Sequence, residues 1–131
     1  MSVLLDKQGA FAAMVAQFIQ HAMAQGYRVR FGDAWRNTTP LKCPHCQSPH
    51  SYQDMLVFNG LSKKYTSQHS ERLAVDFVIE RLDAVPMSDA DWIRLGEAWE
   101  DLGGKDWGGR YGVPPDQRQT VVGWDRSHYG A

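Results

Sequence analysis

Two short stretches of the chain carry side chains suited to metal chemistry. Ser67-Gln68-His69-Ser70-Glu71-Arg72-Leu73-Ala74-Val75-Asp76 supplies an imidazole and a carboxylate. Asp125-Arg126-Ser127-His128 supplies a second imidazole and a further carboxylate. Two imidazoles and one carboxylate suit a catalytic zinc, which takes three protein ligands and leaves a fourth position for water. The remaining carboxylate, three residues before the last His, suits a proton acceptor for that water. The chemistry these residue types point to is metal-assisted hydrolysis.

The spacing of the first stretch makes a structural demand. Ligands of one zinc lie about 2 Å from it, so their ligating atoms sit only a few ångströms apart. A straight helix from His69 to Asp76 would separate them by roughly 10 Å. A straight strand would send them to opposite faces, because the separation is odd. The chain must therefore bend, with His69 on a loop or strand end and Asp76 on a strand over Leu73–Ile79. In that strand Leu73, Val75, Phe77 and Ile79 share one face, and Ala74, Asp76 and Val78 share the other. A carboxylate inside so apolar a run is costly unless it is paired or bound to a metal.

The elements that must position these residues can be read coarsely. Apolar positions Phe11, Met14, Val15, Phe18, Ile19, Ala22 and Met23 recur with a helical period between about Lys7 and Gln25. Gly26 is placed to end that helix. Tyr27–Phe31 alternates as a strand and leads to Arg36. Residues 37–64 read as a long loop, with a short strand at Met55–Phe58. A second helix is expected over Ser88–Leu102, with Ser88 as its N-cap. Its Trp92, Leu95 and Trp99 form a core stripe, and Gly103-Gly104 stops it. Like Trp107, these tryptophans are expected in the core rather than on a sugar-stacking platform. Val121–Trp124 is expected as the strand that delivers Asp125 and His128. The fold class is then α+β: one domain over residues 1–131, a small antiparallel sheet, two main helices packed on it, and zinc at the sheet edge.

The pattern Ser67-x-His69-x6-Asp76 followed by Asp125-x-x-His128 resembles the zinc D-alanyl-D-alanine carboxypeptidase and L-alanyl-D-glutamate endopeptidase superfamily. It is most similar to the short phage endolysin branch, with its SxHxxGxAxD and late (D/E)xxH. Gly32-Asp33-Ala34-Trp35-Arg36 resembles the early Arg motif, and Asp106-Trp107-Gly108-Gly109-Arg110 resembles the Trp-Gly-Gly element before the last His. Arg72 replaces the Gly of the first motif, and Tyr129-Gly130-Ala131 follows the last His where many relatives have Phe and then Glu. The resemblance implies His69, Asp76 and His128 as ligands of one zinc ion and Asp125 as the catalytic base. Arg36 and Ser67 are implied to hold the substrate. Arg36 could clamp a carboxylate through its bidentate fork or stabilise an oxyanion.

The implied substrate is the peptidoglycan stem peptide, cut between L-Ala and D-Glu. The alternatives are D-Ala-D-Ala carboxypeptidase activity, or a zinc-bearing cell-wall or phage structural module without turnover. The chain has 131 residues, is 43% hydrophobic and carries a net charge of −1, which gives no electrostatic case for nucleic acid or an anionic membrane. No apolar run approaches the roughly 20 residues of a membrane span, and the first residues do not read as a secretory signal. The resemblance implies a chain made in a host cytoplasm that reaches the wall through a holin-like partner, and a monomer is expected. Cys43-Pro44-His45-Cys46, with His50 nearby, reads first as thiols or a labile disulfide. Its second reading is a small additional zinc site, for which a second Cys pair is missing from the sequence.

Overall fold

Helix α1 (Val3–Ala24) buries Phe11, Phe18 and Ala22 along one face, with Met14, Val15 and Ile19 packed beside them. It begins about two turns before Phe11, the first residue of the apolar stripe, because Ser2 caps the Leu5 amide and Asp6 sits in the first turn, where a negative charge favours the helix dipole. The turn through Gly26, whose φ is 93°, leads directly into strand β1 (Tyr27–Phe31). The computed structural model describes residues 2–32, 41–42, 49–50 and 71–131. Strands β2 (Leu41–Lys42) and β3 (Pro49–His50) form a separate antiparallel pair within the expected long loop. The expected strand at Met55–Phe58 lies outside the described residues.

Strand β4 (Ala74–Arg81) is the long strand of the main sheet. It pairs on one side with β1, register Val29 to Ile79, and on the other with β6 (His128–Gly130). Strand β5 (Asp106–Trp107) closes the order β1-β4-β6-β5, in which every pairing is antiparallel. Val75, Phe77 and Ile79 are buried on one face as expected, and on the other Val78 is exposed, Asp76 half-buried and Ala74 buried. Helix α2 (Asp89–Asp101) buries Trp92, Leu95 and Trp99 against the same core. Phe18 stacks on Phe77 at 5.3 Å, and Trp99 meets both Phe18 and Tyr129 edge-on at 5.7 Å. The fold is thus α+β, two helices on an antiparallel sheet. No helix among the described residues is long and apolar enough to cross a membrane.

One expectation is corrected. Val121–Trp124 is not a strand; the chain runs irregularly to a turn at 124–127, and the strand is β6, beginning at His128. Gly123 explains the difference. Its amide donates to the Gly109 carbonyl at 2.6 Å, and a Cβ there would lie 2.5 Å from the Tyr111 carbonyl oxygen. The segment is spent on close packing against the Gly108–Tyr111 turn, which leaves no straight run for strand pairing.

The start of α2 carries a buried charge. Asp91, 3% exposed, completes a capping box with Ser88 and accepts the Tyr27 hydroxyl at 2.6 Å. Burial works to raise its pKa, but hydrogen bonds from Tyr27 and Ser88 and the nearby Arg81 prevail and hold it at about 2, against an ordinary 3.8. A depressed carboxylate stabilises the fold fully above its unfolded pKa and loses that contribution as pH falls through the folded one. Asp91 is therefore expected to contribute about 2 kcal/mol above pH ~4, lost by pH ~2. Denaturant titrations of wild type and Asp91→Asn should converge across that interval.

Candidate functional site

The antiparallel sheet brings the two halves of the motif together. Asp76 on β4 and His128 on β6 are direct cross-strand partners, so their Cβ atoms lie about 5 Å apart on one face. Tyr129 turns into the core, which by alternation turns His128 to the face that carries Asp76. The His128 Nδ1 lies 3.7 Å from Asp76 Oδ1. Its other nitrogen, Nε2, lies 3.2 Å from Asp106 Oδ2. Asp106 is in turn held by the Tyr111 hydroxyl, which donates to Oδ1 at 2.6 Å.

Asp125 enters from the turn before β6. Its amide donates to the Gly108 carbonyl at 3.3 Å, and its carbonyl accepts the His128 amide at 3.0 Å. The Trp-Gly-Gly element explains how this turn is fixed. Trp107 is buried and donates its indole N–H to the Arg126 carbonyl at 2.9 Å. Gly108 passes so close that a Cβ would lie 1.8 Å from the Asp125 carbonyl oxygen. A larger residue at 108 would push the turn, and Asp125 with it, away from His128.

The electrostatics of the imidazole follow from these neighbours. Burial works to lower the His128 pKa, but hydrogen bonding to Asp106 and Asp76 and the charges of Asp106 and Asp125 raise it to about 9. Burial and the hydrogen bond to Asp106 likewise push the Tyr111 hydroxyl up, with Asp125 and Asp76 adding to the effect. Three carboxylates thus act on one largely buried ring, an environment that favours a cation.

Whether Asp76 and His128 fit a zinc ion can be tested on distance and chemistry. Ligands about 2.0–2.2 Å from a tetrahedral zinc place their atoms a little over 3 Å apart. The 3.7 Å between Asp76 Oδ1 and His128 Nδ1 needs only a few tenths of an ångström of adjustment. A carboxylate behind the other ring nitrogen, here Asp106, is the usual partner of a zinc-binding His. These two residues fit. Among the described residues no group of three or more His, Cys, Asp or Glu side chains is arranged to hold a metal ion. The third expected ligand, His69, lies outside them, as do Arg36, Ser67, Cys43 and Cys46.

No family model matches the chain, and no curated protein matches it. The expected site residues that are described, Asp76, Asp125 and His128, all lie in one place. Glu71 is exposed in the turn before β4, with its carbonyl accepting from the Gln8 side chain at 2.7 Å. Asp106 and Tyr111 join the site beyond the residues the motifs mark. The only trace of Asp106 in the sequence is its position next to the Trp-Gly-Gly element.

Arg72 stands where the endolysin-like motif has Gly, and its φ is 60°. That left-handed conformation costs an L-residue roughly 1–2 kcal/mol and Gly almost nothing. The backbone at 72 therefore has a conformation that Gly adopts without strain. Arg72→Gly is expected to be more stable than Arg72→Val by about 1–2 kcal/mol, because both lose the Arg72 side chain and only Gly is relieved of the strain. Arg72→Val should destabilise by about 1–2 kcal/mol. Thermal denaturation of the two variants checks the contrast.

Proposed function

We propose that this chain is a zinc-dependent peptidoglycan peptidase of the endolysin type, hydrolysing the stem peptide between L-Ala and D-Glu. The observation that carries the reading is the cross-strand pair Asp76–His128, with Asp106 behind the imidazole and Asp125 three residues before it. The left-handed backbone at Arg72 supports the resemblance of the first motif. Asp76 and His128 would hold the metal together with His69. Zinc, when bound, supplies a Lewis acid and brings the pKa of water near neutrality.

The remaining roles belong to the chain itself. Asp125 takes the proton of the attacking water and delivers it to the departing amine of D-Glu. Asp106, held by Tyr111, keeps the His128 ring in place. Arg36 and Ser67 bind the substrate, with the Arg36 fork matched to the carboxylates of the stem. The choice of the L-Ala–D-Glu bond rests on the resemblance to the endolysin branch.

The test is mass spectrometry of digested peptidoglycan with and without a chelator, alongside zinc content per chain. New L-Ala C-termini and D-Glu N-termini that vanish with chelator are the expected result. Release of terminal D-Ala would make the chain a carboxypeptidase instead. Bound zinc without cleavage would make it a binding module.

A further inference from the structure

Next to the proposed centre stands a large aromatic ring that the core does not use. Trp92, Trp99 and Trp107 are buried, whereas Trp124 is 76% exposed. Single exposed apolar residues are ordinary, so position must decide what this one means. Trp124 immediately precedes Asp125. Its ring centroid lies 5.3 Å from that of Tyr111 at an interplanar angle of 52°. The Tyr111 ring lies in turn 5.9 Å from the His128 imidazole. Tyr111 is thus the common neighbour of the exposed indole and the candidate metal ligand.

The backbone that presents Trp124 is fixed on both sides. Gly123 donates to Gly109 and Asp125 donates to Gly108, at 2.6 Å and 3.3 Å. Gly123 is buried against the Tyr111 backbone too closely to admit a Cβ. The indole is therefore an exposed face on a rigid mount, a form that loses little side-chain entropy on binding.

The chemistry of the substrate says what such a face could meet. Stem peptides contain no aromatic residue, but L-Ala is joined through a lactyl group to a muramyl sugar. Extended, the lactyl and alanyl units span about 7 Å. A sugar therefore lies roughly one aromatic ring beyond the bond to be cut, and its C–H face is apolar. Resting on the peptidase reading above, we propose that Trp124, backed by Tyr111, stacks on the N-acetylmuramyl ring that carries the L-Ala. The site would then recognise a glycan-attached stem in preference to a free peptide.

The test separates binding from turnover. In zinc-containing buffer, the Asp125→Ala chain is titrated with N-acetylmuramyl-L-alanyl-D-isoglutamine and with L-alanyl-D-isoglutamine. The sugar-bearing ligand should bind about tenfold more tightly, the change expected for one well-packed aromatic contact. Adding Trp124→Ala should bring the two affinities within about twofold, and Trp124→Phe should restore most of the difference. Because Trp124 is exposed, an unchanged melting temperature is expected for both variants. Equal affinity for the two ligands, no binding of either, or a preference that survives Trp124→Ala would overturn the proposal. Wild-type cleavage of peptidoglycan is scored separately. A chain that prefers the sugar but never cuts keeps the platform and loses the peptidase reading, whereas one that cuts without preference does the reverse.

Discussion

Asp125→Ala is expected to retain one zinc per chain and to lose at least about a thousandfold in kcat/KM on peptidoglycan. General acid–base groups contribute roughly 10²–10⁴-fold, and Asp125 is proposed to act twice, on the water and on the leaving amine. A thousandfold loss corresponds to about 4 kcal/mol of transition-state stabilisation. The hydrogen bonds that fix the turn run from the Asp125 amide to Gly108 and from the His128 amide to the Asp125 carbonyl. Both use backbone atoms, which alanine keeps. His128→Ala is the contrasting variant: it removes the ring nitrogen that faces Asp76 and should lose metal and activity together. Zinc analysis and progress curves on the two proteins separate the roles. An Asp125→Ala chain that lyses walls at the wild-type rate would sink the mechanism.

The parts of the fold that were legible in the sequence are those governed by local period. The stripe of Phe11, Phe18 and Ala22 buries on α1, and Trp92, Leu95 and Trp99 bury on α2, as the 3.6-residue repeat requires. The alternation through Val75, Phe77 and Ile79 made β4 recognisable. Strands β5 and β6 were not readable in this way. They are two and three residues long, too short for a period, and distant anchors fix them. Trp99 donates to the Gly130 carbonyl at 2.9 Å and Trp107 to the Arg126 carbonyl at the same distance. Val121–Trp124 had strand-like residues, but Val121 and Trp124 are exposed and Gly123 is committed to the Tyr111 backbone. Tertiary packing overrode local propensity there.

The candidate site divides in the same manner. Asp76 stood out because a carboxylate in an apolar strand is expensive, and Asp125-x-x-His128 stood out as a motif. The pairing of Asp76 with His128 is a matter of register between strands about fifty residues apart, and register leaves little mark on either segment alone. Trp124 was hidden for the opposite reason: in the sequence it looked like one more apolar strand residue.

Asp106→Ala should weaken zinc binding by about 10–100-fold while leaving the fold intact. The two ring nitrogens of His128 have different work. A zinc ligand at Nδ1 requires the neutral imidazole to carry its proton on Nε2, and a carboxylate opposite Nε2 holds it there. Asp106 Oδ2, 3.2 Å from Nε2, occupies that position. The Tyr111 hydroxyl at Oδ1 restrains the carboxylate in turn, so the order runs from Tyr111 through Asp106 to His128 and Asp76. Removing Asp106 frees the ring to rotate and to exchange tautomers, and both changes cost affinity. Asp106→Asn can still accept the Nε2 proton but lacks the charge, and should fall between wild type and alanine. Tyr111→Phe, one step farther out, should cost less than either. Competition against a chromophoric chelator gives the zinc dissociation constant of each variant, and melting curves in chelator report the metal-free fold. Zinc affinity that stays within twofold of wild type in Asp106→Ala would mean the carboxylate does not orient the ligand. The ring would then have to be held by Asp76 on its other side and by the Tyr111 ring 5.9 Å away.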